Sequence, residues 1–191
     1  MSAEVFLSMP EITSIVPVIG AADSDLYRAC MEGISTAKLA PPVTGGASRT
    51  ESVLAGLEAL LETAPDLVLI HDAARPFVTP DIVQRVIDGL ADADGAAAAL
   101  PVVDALWQSG DDHATAPVDR TGLWRAQTPQ GFHFDKILAA HRAAEAEAAD
   151  DVEVARAANL SVRLVMGSER NFKITTPEDL ARARREAATP G

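Results

Sequence analysis

The 191-residue chain is 48% apolar and 23% charged, a balance that supports one packed core and excludes an intrinsically disordered segment. With 28 Asp and Glu against 16 Lys and Arg, the net charge of -12 argues against a nucleic-acid or anionic-membrane surface. A single cysteine, Cys30, cannot form an internal disulfide, and no stretch reaches the ~18 apolar residues of a membrane span or has the form of a basic-then-apolar leader, so a soluble, cytoplasmic protein is expected.

The first β-rich run is residues 14–19 (SIVPVI), where Pro17 lacks an N–H and suits a sheet edge. Cys30 follows, read as a small buried or half-buried residue because no basic neighbour activates it. A helix is expected from Glu51 to Leu61, with Val53, Leu54, Leu57, Leu60 and Leu61 on one stripe and Ser48 and Glu51 spaced as a capping box. The apolar run 67–70 (LVLI) has the composition of a central strand, and it ends in His71, Asp72 and, after two alanines, Arg75. Thr79 before Pro80 marks the next helix, whose buried stripe is Ile82, Val83, Val86, Ile87 and Leu90.

Further strands are expected at 96–103, 123–127, 162–166 and 172–174, with a last helix starting at Thr176 and Pro177. Residues 106–117 (LWQSGDDHATAP) interrupt this alternation with a polar, Gly-containing turn between short arms. Its Trp107 suits a contact with another subunit, and a plain surface hairpin is the alternative. The acidic run 144–153 reads as solvated helix face. His113, His133 and His141 have no metal-ligand spacing with Cys30 or with one another, which argues against a zinc site.

Strand and helix alternating in this order predict an α/β domain spanning residues 1–191, with a doubly wound, mostly parallel sheet and a protruding β-arm at 105–118. Such sheets bind ligands beyond the carboxyl ends of their strands, which is where His71 and Asp72 fall.

Three motifs in order, HDAARP (71–76), DRTGLWRAQTPQGF (119–132) and SERNFKITTPEDL (168–180), closely resemble the bacterial 2-C-methyl-D-erythritol 4-phosphate cytidylyltransferases of the non-mevalonate isoprenoid pathway. The glycine pair of TGGASRTESVLAGL (44–57) matches as well, and the C-terminal part looks most like the cytidylyltransferase half of fused two-enzyme forms. The resemblance implies a Rossmann-like nucleotidyltransferase fold, a homodimer, and attack of a sugar-alcohol phosphate on the α-phosphorus of CTP with release of pyrophosphate. It implies Mg²⁺ or another divalent cation on Asp72, and phosphate-holding roles for Arg120 and Lys173. Arg75 and Thr128 would support the sugar phosphate, while Gly46, Ala47, Ser52 and Ala73 would line the nucleotide pocket beside Asp72. His71 is expected to pack, neutral, beneath the site, because an ionised phosphate nucleophile needs no base.

The chain departs from the family's pattern in ways that set further expectations. The opening strand and Gly-rich loop, with its arginine and lysine, are missing. The expected consequences are separation of residues 14–19 from 67–70, open strand edges on both, and impaired turnover. Ala105 and Ala149 stand where the family has threonines. The alternatives to the enzyme are a catalytically silent dimerising relative or fragment, and a cytidylyltransferase for another sugar-alcohol phosphate such as ribitol 5-phosphate.

Overall fold

The computed structural model describes residues 2–188. Its main sheet has four strands in the order β3 (Leu67–Ile70), β7 (Trp124–His133), β4 (Gly95–Pro101) and β8 (Val162–Met166). The strands β3, β4 and β8 run the same way, and β7 runs against them from between β3 and β4. Helices cover both faces, as a doubly wound sheet requires.

On one face α4 (Pro80–Gly89) buries Ile82, Val83 and Val86 against Ala96 and Ala98 of β4, with Phe6 of α1 (Ser2–Ser8) closing the cluster. The contact is close because the facing positions are small. A Cβ on Gly131 of β7 would lie 2.8 Å from both Leu69 Cδ2 and Val86 Cγ1. On the other face Leu57 of α3 (Arg49–Ala59), Ile137 of α5 (Phe134–Ala143) and Val154 of α6 (Asp151–Ala157) surround Phe132, which has no exposed surface.

The run 67–70 is not central. Among the described strands it pairs only with β7, and Leu67 is 37% exposed. Within residues 14–19 the strand shrinks to β1 (Val18–Ile19), which pairs in parallel with β2 (Val43–Thr44) in a sheet of its own, preceded by a bridge from Ile15 to Leu39. The expected separation of the two runs is therefore present. Between them lies a cleft of about 1110 Å³, walled by residues of β1 and β3 and reached by the short helix α2 (Ser24–Cys30). Cys30, expected to be at least half-buried, is exposed, because α2 buries none of its residues.

Two capping expectations hold in detail. Ser48 Oγ accepts the Glu51 amide at 3.2 Å, and Thr176 Oγ1 accepts the Asp179 amide at 3.2 Å at the start of α7 (Pro177–Ala188). Thr79 precedes Pro80 as expected but makes no side-chain cap bond. Residues 172–174 are not a strand. They cross the 72–75 turn, held by one backbone bond from Ile174 N to Ala74 O (2.9 Å), while Phe172 packs on Phe77 and under Arg182. Residues 106–117 form a separate hairpin of β5 (Leu106–Gly110) and β6 (His113–Val118), with Asp111 and Asp112 at φ 48° and 62° in the tight turn and Trp107 61% exposed.

Phe132→Ala removes the ring at the centre of one core and is expected to destabilise the fold by about 3–5 kcal/mol. Urea unfolding followed by circular dichroism checks this, with Trp107→Ala as an exposed control expected to move the midpoint little.

Candidate active site

The β3 strand ends at Ile70, and the chain then turns tightly, Arg75 N bonding Asp72 O at 2.9 Å. This turn projects the Asp72 carboxylate at the mouth of the cleft with only 18% of its side chain exposed. Three cations converge on it. Lys173 Nζ is 3.0 Å from Oδ2, Arg49 Nε is 3.6 Å from Oδ1, and Arg75 Nε is 3.9 Å from Oδ2.

Beneath Asp72 runs a chain of neutral hydrogen bonds. The Asp72 amide donates to Thr128 Oγ1 (3.1 Å), Thr128 Oγ1 lies 3.1 Å from His71 Nδ1, and His71 Nε2 lies 3.1 Å from the Arg75 carbonyl. A carbonyl can only accept, so Nε2 carries the proton and Nδ1 receives the threonine hydroxyl. Burial is the main reason that the His71 pKa falls to about 4, and the Arg75 charge adds to it. The bond to the Arg75 carbonyl and the Asp72 charge oppose the fall. The expected neutral histidine beneath the site is thus present.

Arg75 and Thr128 serve the site from within. Arg75 donates to the Asn171 and Ala126 carbonyls at 2.9 and 3.3 Å, tying β7 and the 168–173 loop to the Asp72 turn. Burial lowers the Arg75 pKa and the Asp72 charge partly restores it. Thr128 is 3% exposed, its hydroxyl already engaged twice. The Thr128 hydroxyl is thus fully engaged, whereas Arg75 keeps an unbonded donor, its buried Nε, which faces Asp72 Oδ2 at 3.9 Å.

The wall of the cleft expected to take a nucleotide is assembled at the start of α3. Gly46, Ser52, Asp72 and Ala73 all line the cleft. Gly46 is obligatory there, since a Cβ would meet Glu51 Cβ at 2.3 Å. Ala47, expected to line it, is not among the lining residues, and its amide donates to Glu51 Oε2 at 2.7 Å; Ser52 does line it, with Oγ donating to the Ser48 carbonyl at 2.8 Å. Arg120 lies apart. It is exposed at the root of the β5–β6 hairpin, bonded to the Val103 carbonyl, and makes none of the contacts around Asp72.

Arg49, Gln127 and Gln130 lie within the family-like motifs but receive no role from the sequence, nor does Asp151, and His141 enters there only as an improbable metal ligand. Gln127 Nε2 holds the Ser168 carbonyl at 2.8 Å, and Gln130 Oε1 accepts the Asp151 and Val152 amides at 3.0 and 3.1 Å. The buried position of Gln130 on β7, 1% exposed, is concealed by a Pro-Gln-Gly stretch that reads as loop, whereas Gln127, 6% exposed, ends the expected strand 123–127.

A family model described as 2-C-methyl-D-erythritol 4-phosphate cytidylyltransferase, IspD, matches residues 1–187. The chain belongs to this family. It is 50% identical over 181 residues to a bifunctional enzyme IspD/IspF of Rhodospirillum rubrum, covering 94% of this chain and 47% of that protein. To a 2-C-methyl-D-erythritol 4-phosphate cytidylyltransferase of Roseobacter denitrificans it is 58% identical over 140 residues, 73% of this chain and 63% of that one. The chain thus spans less than two thirds of either relative. Among solved structures, the cytidylyltransferase of Thermus thermophilus superposes with a TM-score of 0.81 at 31% identity, covering 98% of this chain and 87% of that one. The 4-diphosphocytidyl-2C-methyl-D-erythritol synthase of Anaerococcus prevotii gives 0.86 at 27% identity, over 98% and 84%.

The neutral, partly buried His71 makes stability pH-dependent. Unfolded, its pKa is near 6.5; folded, about 4, so between these values the unfolded chain binds the extra proton and gains. Stability should therefore fall as pH drops from 6.5 toward 4, by up to about 3 kcal/mol from this residue. Denaturation of the parent and His71→Gln at pH 7, 5.5 and 4.5 checks it; the variant is expected to show the shallower slope.

Proposed function

We propose that the whole protein is a cytidylyltransferase that joins CTP and 2-C-methyl-D-erythritol 4-phosphate, giving 4-diphosphocytidyl-2-C-methyl-D-erythritol and pyrophosphate. The observation that carries this reading is the Asp72 carboxylate at a strand end, ringed by Lys173, Arg49 and Arg75 beside the glycine-walled cleft. Family membership supplies the substrates.

A single carboxylate fits Mg²⁺, which takes one or two protein oxygens and fills its shell from phosphates and water. Among the described residues no group of three or more His, Cys, Asp or Glu could hold an ion by protein alone, so Asp72 would hold the metal together with the nucleotide. When bound, the cation offsets charge on the nucleotide phosphates. Lys173 holds the sugar phosphate within reach of the α-phosphorus, since positioning and electrostatics dominate phosphoryl-type transfer. A phosphate oxygen of the sugar alcohol forms the new P–O bond, the bond from the α-phosphorus to the bridging oxygen breaks, and pyrophosphate departs with that electron pair. No base is required, consistent with a histidine kept neutral under the turn.

The reading extends to a cytoplasmic homodimer joined through the β5–β6 arm. An antiparallel hairpin with its own small sheet and an exposed Trp107 has an aromatic surface suited to an interface, and Arg120 travels at its root. No helix among the described residues is long and apolar enough to cross a membrane.

Pyrophosphate release by the whole protein with Mg²⁺, CTP and the sugar phosphate tests the reading. Asp72→Asn is expected to lose on the order of 100-fold or more in rate, and Lys173→Ala to weaken sugar-phosphate binding by about 1.5–3 kcal/mol. Equal turnover of ribitol 5-phosphate would redirect the substrate assignment. Sedimentation at micromolar concentration should give a dimer, and a monomer at every concentration would remove the arm's role.

A further inference from the structure

Arg49 is one of the cations around Asp72 but has no role of its own so far, and it also pairs with a second, wholly buried carboxylate. Its guanidinium spans two carboxylates, with Nη2 2.6 Å from Asp151 Oδ2 and Nε 3.6 Å from Asp72 Oδ1. Asp151 is wholly buried, and its other oxygen lies 3.1 Å from Nε2 of the equally buried His141. Burial disfavours ionisation of Asp151, but the bonds from His141 and Arg49 outweigh it and hold the carboxyl below the usual range. Burial also opposes the Arg49 charge, and the bond to Asp151, then the charges of Asp151, Asp72 and Asp150, hold its pKa above the ordinary value.

The backbone at Asp151 is fixed as well. Gln130 Oε1 accepts the amides of Asp151 and Val152, while Gln130 Nε2 donates to Asp150 Oδ2 at 2.9 Å. A buried carboxylate so held cannot swing toward water without leaving charge unpaired, so it fixes the guanidinium it grips. The fork of that guanidinium then presents its Nε edge to Asp72, while Lys173 and Arg75 approach the other oxygen.

We propose that Arg49 is a positioning residue that orients the Asp72 carboxylate, and that the buried Asp151–His141 pair is what holds Arg49 in place. Its relevance to catalysis rests on reading Asp72 as the metal–nucleotide ligand; the relay itself does not. Three segments remote in sequence are joined by it: the first turn of α3 at the wall of the cleft, the end of β3, and the start of α6.

The test uses the full chain and the variants Arg49→Lys, Arg49→Met and Asp151→Asn. Lysine is a point charge that can satisfy one carboxylate, and the buried Asp151 is the costlier one to leave alone. Arg49→Lys should therefore keep a melting midpoint nearer the parent than Arg49→Met does, yet free Asp72. The readouts at Asp72 are its side-chain carboxyl ¹³C resonance and amide exchange over residues 72–75. In all three variants the resonance should move and exchange there should quicken about tenfold, with the amides of β4 unchanged. Movement at Asp72 in Asp151→Asn is the decisive sign, since Asp151 bonds Arg49 and His141 and not Asp72. If Asp151→Asn does not fold, Arg49→Lys decides alone. An unmoved Asp72 resonance and unaltered local exchange in the folded variants would overturn the relay. Mn²⁺–CTP calorimetry on Asp72→Asn and the parent separates the two ideas: equal heats there would sink the nucleotide-site reading, while the relay stands or falls on the Asp72 resonance.

Discussion

The antiparallel strand β7 is the constraint on which the site depends. Among the described strands β3 is joined to β4 and β8 only through it, so the position of Asp72 relative to the rest of the sheet is set by the β3–β7 register. That register aligns Ile70 with Gln130, and β4 in turn aligns Ala97 with the same residue. A slip of one residue would turn Phe132 out of its core and Gln130 away from α6. The strand also carries the polar scaffold of the site. Thr128 supports the Asp72 amide, Gln127 grips the 168 loop that leads to Lys173, and Gln130 fixes the start of α6.

Local charge at the site runs against the charge of the whole. The chain carries a net -12, yet its partly buried Asp72 faces three cations within 3.9 Å. Solvated acidic side chains more than about 8 Å away are largely screened at physiological salt, whereas partly buried pairs are screened much less. The local field at the mouth of the cleft therefore turns on where Lys173, Arg49 and Arg75 are held. The hydrogen bonds that hold the two arginines, to Asn171, Ala126 and Asp151, matter as much as the charges themselves.

Much of the scaffold was legible locally. Ser48 with Glu51, the stripe of α4 and the strand 162–166 are short-range patterns, and each appears where its spacing puts it. The strand expected at 123–127 is only part of β7, because Pro129, Gln130 and Gly131 read as a loop. They remain extended to His133, with Gly131 admitting α4 at close range. Residues 172–174 look like a strand by composition, but aromatic packing of Phe172 and a single backbone bond place them across the Asp72 turn instead.

At the site, the sequence by itself offered the chemistry of the pieces: a carboxylate at the end of an apolar run, a glycine pair before a capped helix, and family motifs that single out Asp72, Arg120 and Lys173. Only the tertiary structure decided which donors are free. It turned Thr128 and Arg75 inward, set Arg120 on the arm away from Asp72, and brought Arg49 to a buried Asp151 that lies 102 residues further along the chain. The reason is physical. Capping, periodicity and turn formation are set by neighbours within a few residues. The partner of a buried charge is set by whichever group the packed sheet places within hydrogen-bonding distance, and no local pattern encodes that.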